Sequence, residues 1–144
     1  TILSFKPEGK GTNLSLPLKY LLKIQKKKAT TFLISDFQDE NFESQLKLAR
    51  QRFDLIAINI IDPHEETLPD VGMVNLEDSE TGKTLLVNTS DSEMLKKHKK
   101  ICIKKRQERK TFFSSIGIDT IEIFTHKSLT DPIIKYFKFR EKKH

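Results

Sequence analysis

The chain has 144 residues and a net charge of +6; with 36% hydrophobic and 32% charged residues it has enough apolar material for one core and too much for a disordered chain. Its single cysteine, Cys102, excludes an internal disulfide and is typical of a reducing compartment, so we expect a cytoplasmic location. No apolar run approaches the roughly 20 residues that cross a bilayer. Because the sequence begins at Thr1, we expect further residues before it in the natural protein, where a membrane anchor could lie.

The first half of the chain predicts a helix followed by a strand–helix–strand unit. Apolar residues with helical spacing over residues 14–22 predict the first helix. Residues 29–37, ATTFLISDF, are almost wholly apolar and β-branched, which predicts a strand covered on both faces within a parallel sheet. Asp39 is the predicted cap of the second helix, and residues 54–62, DLIAINIID, predict the next strand. Because such crossovers are right-handed, both strands should end at one edge of the sheet, where we expect a site.

The second half predicts a hairpin, a long helix, a strand and a C-terminal helix. Two short alternating segments around the turn residues 78–82 predict the β-hairpin. The long helix spans about residues 91–115, with Ile101 on its inward face, and residues 119–125 predict the last strand. The predicted fold class is therefore α/β, as a single domain over residues 1–144.

Most of the excess positive charge in the C-terminal part of the chain lies on the predicted helix over residues 91–115. Residues 1–90 carry 11 basic and 13 acidic side chains, whereas residues 91–144 carry 15 and 7. The basic patch of this helix comprises Lys96, Lys97, Lys99, Lys100, Lys104, Lys105, Arg106 and Arg109. Such a patch would bind phosphate, nucleic acid or an acidic protein, although most runs of this kind are solvated helix faces. No aromatic residues interleave with the lysines to stack on bases, so we do not expect nucleic acid as the principal partner.

Two oxygen-bearing side chains are expected at the edge of the sheet. Thr12 lies in the segment GKGTNL at residues 9–14, and Asp36 follows the first predicted strand. Hydroxyl and carboxylate oxygens suit Mg²⁺, so the pair predicts part of a magnesium site. The alternative is that Thr12 starts a helix and Asp36 caps a loop, since both residue types favour such positions anyway.

The loop and hairpin after the second strand are rich in acidic residues. These are Asp62, Glu65, Glu66, Asp70, Asp78 and Glu80. Paired carboxylates could act as acid and base in hydrolysis, but acid-rich loops ordinarily cap turns and face solvent. GKT at residues 82–84 lacks the earlier glycine of a phosphate-binding loop. The histidines His64, His98 and His126 are interpreted as lacking a Cys or His partner at ligand spacing. We therefore predict a protein that is not an enzyme.

Several ordered segments resemble the bacterial MoxR-associated family known as domain of unknown function fifty-eight. The most diagnostic are SDF at residues 35–37, DPHE at 62–65, LPDVG at 68–72 and DSETG at 78–82. The resemblance extends over nearly the whole chain and corresponds to the C-terminal half of the family's domain. That family is similar to von Willebrand factor A domains, whose metal-ion-dependent adhesion site combines an Asp-x-Ser-x-Ser loop, a threonine and a later aspartate. Thr12 and Asp36 match the last two.

The resemblance implies a partial von Willebrand factor A-like, Rossmann-like three-layer fold with a mostly parallel sheet, an added β-hairpin and flanking helices. The first strands of the sheet and the Asp-x-Ser-x-Ser loop would precede this sequence. The metal site of Thr12 and Asp36 is therefore incomplete, and we expect no bound cofactor here and Mg²⁺ only in a full-length protein. Without the first strands, the strand over residues 30–37 has an open apolar edge, which predicts a homodimer through it.

The resemblance also implies a function. We expect a non-enzymatic adaptor that assists a MoxR-type AAA+ ATPase in the assembly or maturation of protein complexes. The residues expected to contact a protein partner are Gly11, Asn13, Ser35, Phe37, Asp62, His64, Glu65 and Asp70. Binding of phosphate or nucleic acid through the basic patch is the alternative function.

Overall fold

Helices and strands alternate along the chain in the computed structural model, which describes residues 12–39, 41–77 and 84–142. In chain order they are α1 (Ser15–Ile24), β1 (Thr30–Ser35), α2 (Glu43–Arg52), β2 (Asp54–Ile61), α3 (Pro63–Glu66), β3 (Met73–Glu77), β4 (Thr84–Asn88), α4 (Ser92–Ser115), β5 (Asp119–Phe124) and α5 (Thr130–Glu141). Within these ranges we find no helix whose length and apolar character would let it span a bilayer.

Three parallel strands form the main sheet in the order β1–β2–β5. The apolar, β-branched sequence of β2 suits its central position, where most of its side chains are buried. β1 lies at the edge, and no strand of the described residues pairs with its outer side. Its Phe32 and Ile34 are 43% and 63% exposed, so the prediction of a strand covered on both faces is wrong. The expected open edge of β1 is present in the described part.

Side chains on the two faces of the sheet form two separate cores. On one face, Leu55 and Ala57 of β2 pack with residues of α1, α2, α4 and the adjoining loops: Leu14, Leu18, Phe37, Phe42, Leu46, Ala49, Phe53, Phe113 and Ile118. On the other face, Ile56 and Ile58 pack with β5 and α5. Each fully buried leucine or isoleucine contributes roughly 1.5–3 kcal/mol to folding. The arrangement has three layers, helix, sheet and helix, and is compatible with part of a Rossmann-like fold.

β3 and β4 pair antiparallel as a separate two-stranded ribbon, which confirms the predicted hairpin. Its turn at residues 78–82 lies outside the described residues. Thr89, 1% exposed, closes the base of the ribbon: its Oγ1 donates to the Gly72 carbonyl at 2.8 Å and accepts from the Val71 N–H at 3.0 Å. Gly72 has a φ of 82°, which a glycine adopts without steric cost.

The fold class is confirmed, but two further local predictions are wrong. Asp39 does not cap α2, which begins at Glu43 without a side-chain cap; instead, Asp39 Oδ2 accepts from the Leu14 N–H at 2.6 Å. This bond ties the start of α1 to the segment after β1. Ile101, which was predicted on the inward face of the long helix, is exposed, and Cys102 is half-buried instead. Successive side chains on a helix point about 100° apart, so the two neighbours lie on different faces.

Candidate functional site

The carboxyl ends of β1 and β2 lie side by side, because Ser35 is in register with Asn59 in this parallel pair. The residues that follow the two strands therefore meet at one edge of the sheet. We call this region the acidic edge and define it by Asp36, Gln38, Asp62, His64 and Glu65. All of them are exposed except Asp62, which is half-buried.

The turn after β1 directs Asp36 outward and Phe37 inward. Phe37 has a φ of 54°, which is uncommon for a residue with a Cβ atom. Two hydrogen bonds hold the turn: Ser35 Oγ accepts from the Phe37 N–H at 3.0 Å, and Asp36 Oδ1 accepts from the Gln38 N–H at 3.2 Å. The Phe37 ring is buried and packs edge to face on Phe113, with 5.0 Å between ring centroids. Phe37 therefore anchors the turn in the core, and Asp36 remains exposed beside it.

The loop after β2 is fixed by Asp62 at the start of α3. The His64 N–H donates to Asp62 Oδ1 at 2.9 Å, and the His64 ring Nδ1 lies 3.0 Å from the same oxygen. These contacts, the backbone hydrogen bond above all, lower the pKa of Asp62. Pro63 occupies the first helical turn, where its missing N–H is not needed. Asp62 is thus a fixed carboxylate, while the His64 ring is open to solvent.

Glu65 connects the two loops. Its Oε2 accepts a hydrogen bond from Gln38 Nε2 at 3.0 Å. Partial burial raises the pKa of Glu65, and repulsion from the carboxylates of Asp36 and Asp62 raises it further. Glu65 therefore lies close enough to Asp36 and Asp62 for their charges to act on it.

Two arginines of α4 face the sheet. Arg109 donates to the backbone carbonyl of Asp36, and Arg106 pairs with Glu66 and lies 3.8 Å from a carboxylate oxygen of Glu122 on β5. Both side chains are half-buried. The other members of the predicted basic patch are exposed: Lys96, Lys97, Lys99, Lys100, Lys104 and Lys105. The patch is thus divided into an exposed lysine face and two arginines engaged with the rest of the molecule.

His98 and Cys102 form a pair that the sequence interpretation missed. His98 Nε2 lies 3.5 Å from Cys102 Sγ and donates to the Glu65 backbone carbonyl at 2.8 Å. The prediction that His98 lacks a cysteine partner is therefore wrong, and the i, i+4 spacing on a helix was the available signal. Burial raises the pKa of the Cys102 thiol, and the nearby Glu66 adds to this, which favours the protonated, poorly nucleophilic form.

Asn59 is a second residue that the sequence interpretation missed. It is 4% exposed, and within the described residues its Oδ1 accepts no hydrogen bond. Asn59 is in register with Ser35 and Glu122, so the three side chains form a polar row across one face of the sheet. The available signal was one amide inside the apolar run DLIAINII. The row lies beneath α4, whose Lys110 approaches Glu122 to 3.7 Å.

The remaining predicted contact residues lie at the start of α1, at the base of the hairpin or outside the described residues. Asn13 Oδ1 accepts from a backbone N–H in the first turn of α1 at 3.2 Å, which is a capping contact. Asp70 lies at the base of the hairpin and accepts from Ser90 Oγ at 2.6 Å. Thr12 is exposed at the start of the first described range, and Gly11 lies outside it.

The residues present do not by themselves fit a bound metal ion. In the part of the chain that the structure describes, no three His, Cys, Asp or Glu side chains are placed to hold one. Asp36 Oδ1 already accepts from the Gln38 N–H, and Arg109 brings a cation to the same turn. Mg²⁺ requires near-octahedral oxygen coordination, which Thr12 and Asp36 cannot complete without ligands from elsewhere.

Comparison with known proteins gives a family and uncharacterised relatives. A family model described as "Protein of unknown function DUF58" matches residues 1–108. The uncharacterised protein MAV169 of Mycobacterium avium is 26% identical over 137 residues, which cover 94% of this chain and 80% of the relative. The uncharacterised proteins Mb1516 of Mycobacterium bovis and Rv1480 of Mycobacterium tuberculosis are each 32% identical over 77 residues. That match covers 53% of this chain and 24% of each relative. No solved structure matches the chain.

Proposed function

The chain belongs to the DUF58 family of proteins of unknown function, and from this premise we propose that it is a protein-binding module and not an enzyme. Its role would be that of an adaptor beside a MoxR-type AAA+ ATPase, in the assembly or maturation of protein complexes. In this proposal the three-layer sheet is the C-terminal part of a von Willebrand factor A-like domain. The acidic edge is its contact surface.

The observation that supports this role is a set of exposed polar side chains held in fixed positions at the end of the sheet. Asp36 is fixed by its turn, Glu65 by Gln38, and the loop of His64 by Asp62. Preorganised exposed groups lose little conformational freedom when a partner binds. Two open cavities among the described residues lie away from this edge, one along α5 and one at the opposite end of β1.

The proposal is tested by the affinity of the chain for the purified MoxR-type ATPase of the same organism, measured by biolayer interferometry. Asp36→Asn and Glu65→Gln each remove one charge from the acidic edge with little change in size. Asp131→Asn makes the matched change on α5. We expect each edge variant to bind at least about tenfold more weakly, equivalent to about 1.4 kcal/mol, and the control to bind like the wild type. No binding by the wild-type chain, or equal affinities for all four proteins, would contradict the proposal.

Phosphate or nucleic-acid binding is the second candidate, because six lysines of the basic patch remain exposed on α4. A cationic face of this kind gives salt-dependent binding to phosphate backbones. The variant with Lys96, Lys97, Lys99 and Lys100 changed to Glu should then lose binding to a short DNA duplex. A control with the exposed lysines Lys19, Lys23, Lys26 and Lys27 changed to Glu should keep most of it. If the wild-type chain does not bind the duplex at low salt, the lysines are a solvated helix face.

Metal binding by the whole protein is a separate proposal. The match covers 24% of each relative from M. bovis and M. tuberculosis and 80% of MAV169, and we propose that in a longer protein of this kind other segments add metal ligands. Mg²⁺ held by Thr12 and Asp36 with such added ligands stays a prediction for the full-length protein.

A further inference from the structure

The ribbon of β3 and β4 has one face that is wholly apolar. Side chains alternate along a strand, and the register pairs Val74 with Val87 and Leu76 with Leu85, so these four side chains project on the same side. Leu76 is 37% exposed and Leu85 is 66% exposed, whereas the two valines are half-buried. None of the four belongs to either core of the described residues. The face is therefore apolar and open to solvent, most of all at the end away from its base.

The ribbon is held to the rest of the chain at its base. There, Thr89 binds the backbone of Val71 and Gly72, and Ser90 Oγ donates to Asp70 Oδ1 at 2.6 Å. The two strands form a sheet of their own, which takes no third strand within the described residues. A two-stranded ribbon is marginally stable by itself and gains stability when it packs on a helix or a further strand. The base thus fixes the ribbon, and its apolar face can receive a partner.

The opposite face of the ribbon is mixed in character. It carries Met73 and Leu86, which are 60% and 59% exposed, between polar side chains. These polar side chains are Asn75, Glu77, Thr84 and Asn88. Apolar side chains scattered singly are ordinary on a protein surface, whereas contiguous apolar patches mark interaction sites. The wholly apolar face is therefore the side of the ribbon that we assign to a partner.

The charge around the ribbon is acidic. Residues 62–93 contain nine acidic side chains and one basic side chain, Lys83. Of the acidic residues, Asp70 lies at the base of the ribbon and Glu77 at the end of β3. An apolar centre with a polar rim is typical of protein interfaces, and opposite charge on the partner speeds and orients association. Lysine or arginine side chains should therefore flank the apolar residues of the partner.

The position of the apolar side chains favours a helix as the contact segment of the partner. An extended segment would pair with the outer edge of β3 or β4 and would leave the apolar face uncovered. An amphipathic helix that lies across the face would cover both cross-strand pairs. Apolar side chains at positions i and i+4 of a helix lie about 5–6 Å apart, which is close to the spacing of cross-strand neighbours.

We propose that the apolar face of the β3–β4 ribbon binds a basic amphipathic helix of a protein partner. Val74, Leu76, Leu85 and Val87 contact the apolar stripe of that helix, and the acidic residues near the ribbon attract its lysines or arginines. The inference goes beyond the adaptor role, because it concerns a different surface from the acidic edge and requires no ATPase.

The affinity of the whole chain for model peptides, measured by fluorescence anisotropy, tests the chemistry of the partner. The first peptide has about 18 residues, or five helical turns, with leucines at helical spacing and lysines elsewhere. The second contains the same residues in strict alternation, which suits a strand, and the third has glutamate in place of lysine. We expect the first peptide to bind and the other two to bind at least about tenfold more weakly.

Two neighbouring leucines give a matched pair of variants for the same measurement. Leu85→Thr removes apolar surface from the proposed face, and Leu86→Thr makes the same change on the opposite face of the same strand. Threonine is well tolerated in strands, so both variants should keep the ribbon. We expect Leu85→Thr to bind the first peptide at least about tenfold more weakly, and Leu86→Thr to bind it like the wild type.

Equal affinities of Leu85→Thr and Leu86→Thr would overturn the proposal, because charge alone would then hold the peptide. The proposal also fails if the wild-type chain does not bind the first peptide, or binds either comparison peptide as tightly. Because no ATPase is present, failure here is distinct from failure of the adaptor role.

Discussion

Tyr136 of α5 links an acidic and a basic side chain at the amino-terminal edge of the sheet. Its hydroxyl donates to Asp119 Oδ2 and accepts from Arg140 NH1, each at 2.8 Å. Arg140 in turn pairs with Asp54 at the start of β2. Partial burial raises the pKa of Tyr136 to about 12, and the hydrogen bond to Asp119 contributes in the same direction. The network fastens α5 to the first residues of β2 and β5.

The raised pKa of Tyr136 predicts a loss of stability at alkaline pH. In the unfolded chain a tyrosine ionises near pH 10. In the folded protein the Tyr136 hydroxyl keeps its proton up to about pH 12. Between these two pKa values the unfolded state binds fewer protons than the folded state, so the free energy of unfolding falls as pH rises. The free energy of unfolding of the Tyr136→Phe variant should fall less over this pH range than that of the wild type. In a Tyr20→Phe background Tyr136 is the sole tyrosine, and its absorbance titration should have a midpoint well above 10; a midpoint at 10 would refute the assignment.

The positions of single side chains could be predicted only where local sequence determines them. Asp36 and Asp62 follow strands directly, and parallel strands end at a common edge, so their proximity followed from the sequence. Arg109 could not be identified in this way, because it meets Asp36 across 73 residues of chain. Nothing in the local pattern distinguishes it from the lysines of the same helix.

At the scale of the elements, β1 is the least covered strand of the sheet. Its inner neighbour β2 is buried on both faces, whereas Phe32 and Ile34 of β1 are exposed and its outer edge has no partner strand among the described residues. Phe32 contacts Phe137 of α5, with 6.2 Å between ring centroids. The helix thus reaches the margin of β1 without covering it.

An unpaired apolar edge predicts self-association of this chain through β1. Light scattering should give a mass of twice the 16.7 kDa of one chain, unchanged by Mg²⁺. Ile34→Lys should reduce it to the monomer mass, because a charge on an edge strand opposes pairing. Ile134→Lys makes the same change at a residue of α5 that is 50% exposed and should leave the dimer intact. A monomeric wild-type chain, or a dimer that persists in Ile34→Lys, would argue against this interface.

The helices and strands themselves were largely predictable, since apolar periodicity fixes the type of element. The long helix, predicted over about residues 91–115, is Ser92–Ser115, and the hairpin strands occur as predicted. The burial of β1 was not predictable, because an apolar run is compatible with any strand and only tertiary packing decides which faces are covered. Ile101 was misplaced for a similar reason, since the apolar stripe of α4 is interrupted by lysines.

At the scale of the whole molecule, the acidic edge and the lysine face are two separate exposed surfaces of opposite charge. The acidic edge lies at the carboxyl ends of the strands, and the lysine face lies on the exposed side of α4. Arg106 and Arg109 lie between the two and tie α4 to the acidic residues. One chain thus presents a preorganised acidic surface and an exposed basic one, and the two functional proposals differ in which of these surfaces binds the partner.

Hydrogen exchange of the chain, measured by mass spectrometry with and without the MoxR-type ATPase, tests the choice of surface most directly. If the acidic edge is the contact surface, backbone amides in residues 35–38 and 62–66 should exchange more slowly in the complex. The lysine face over residues 96–105 should be little changed. Protection confined to residues 96–105, or no protection anywhere at saturating ATPase, would contradict the account.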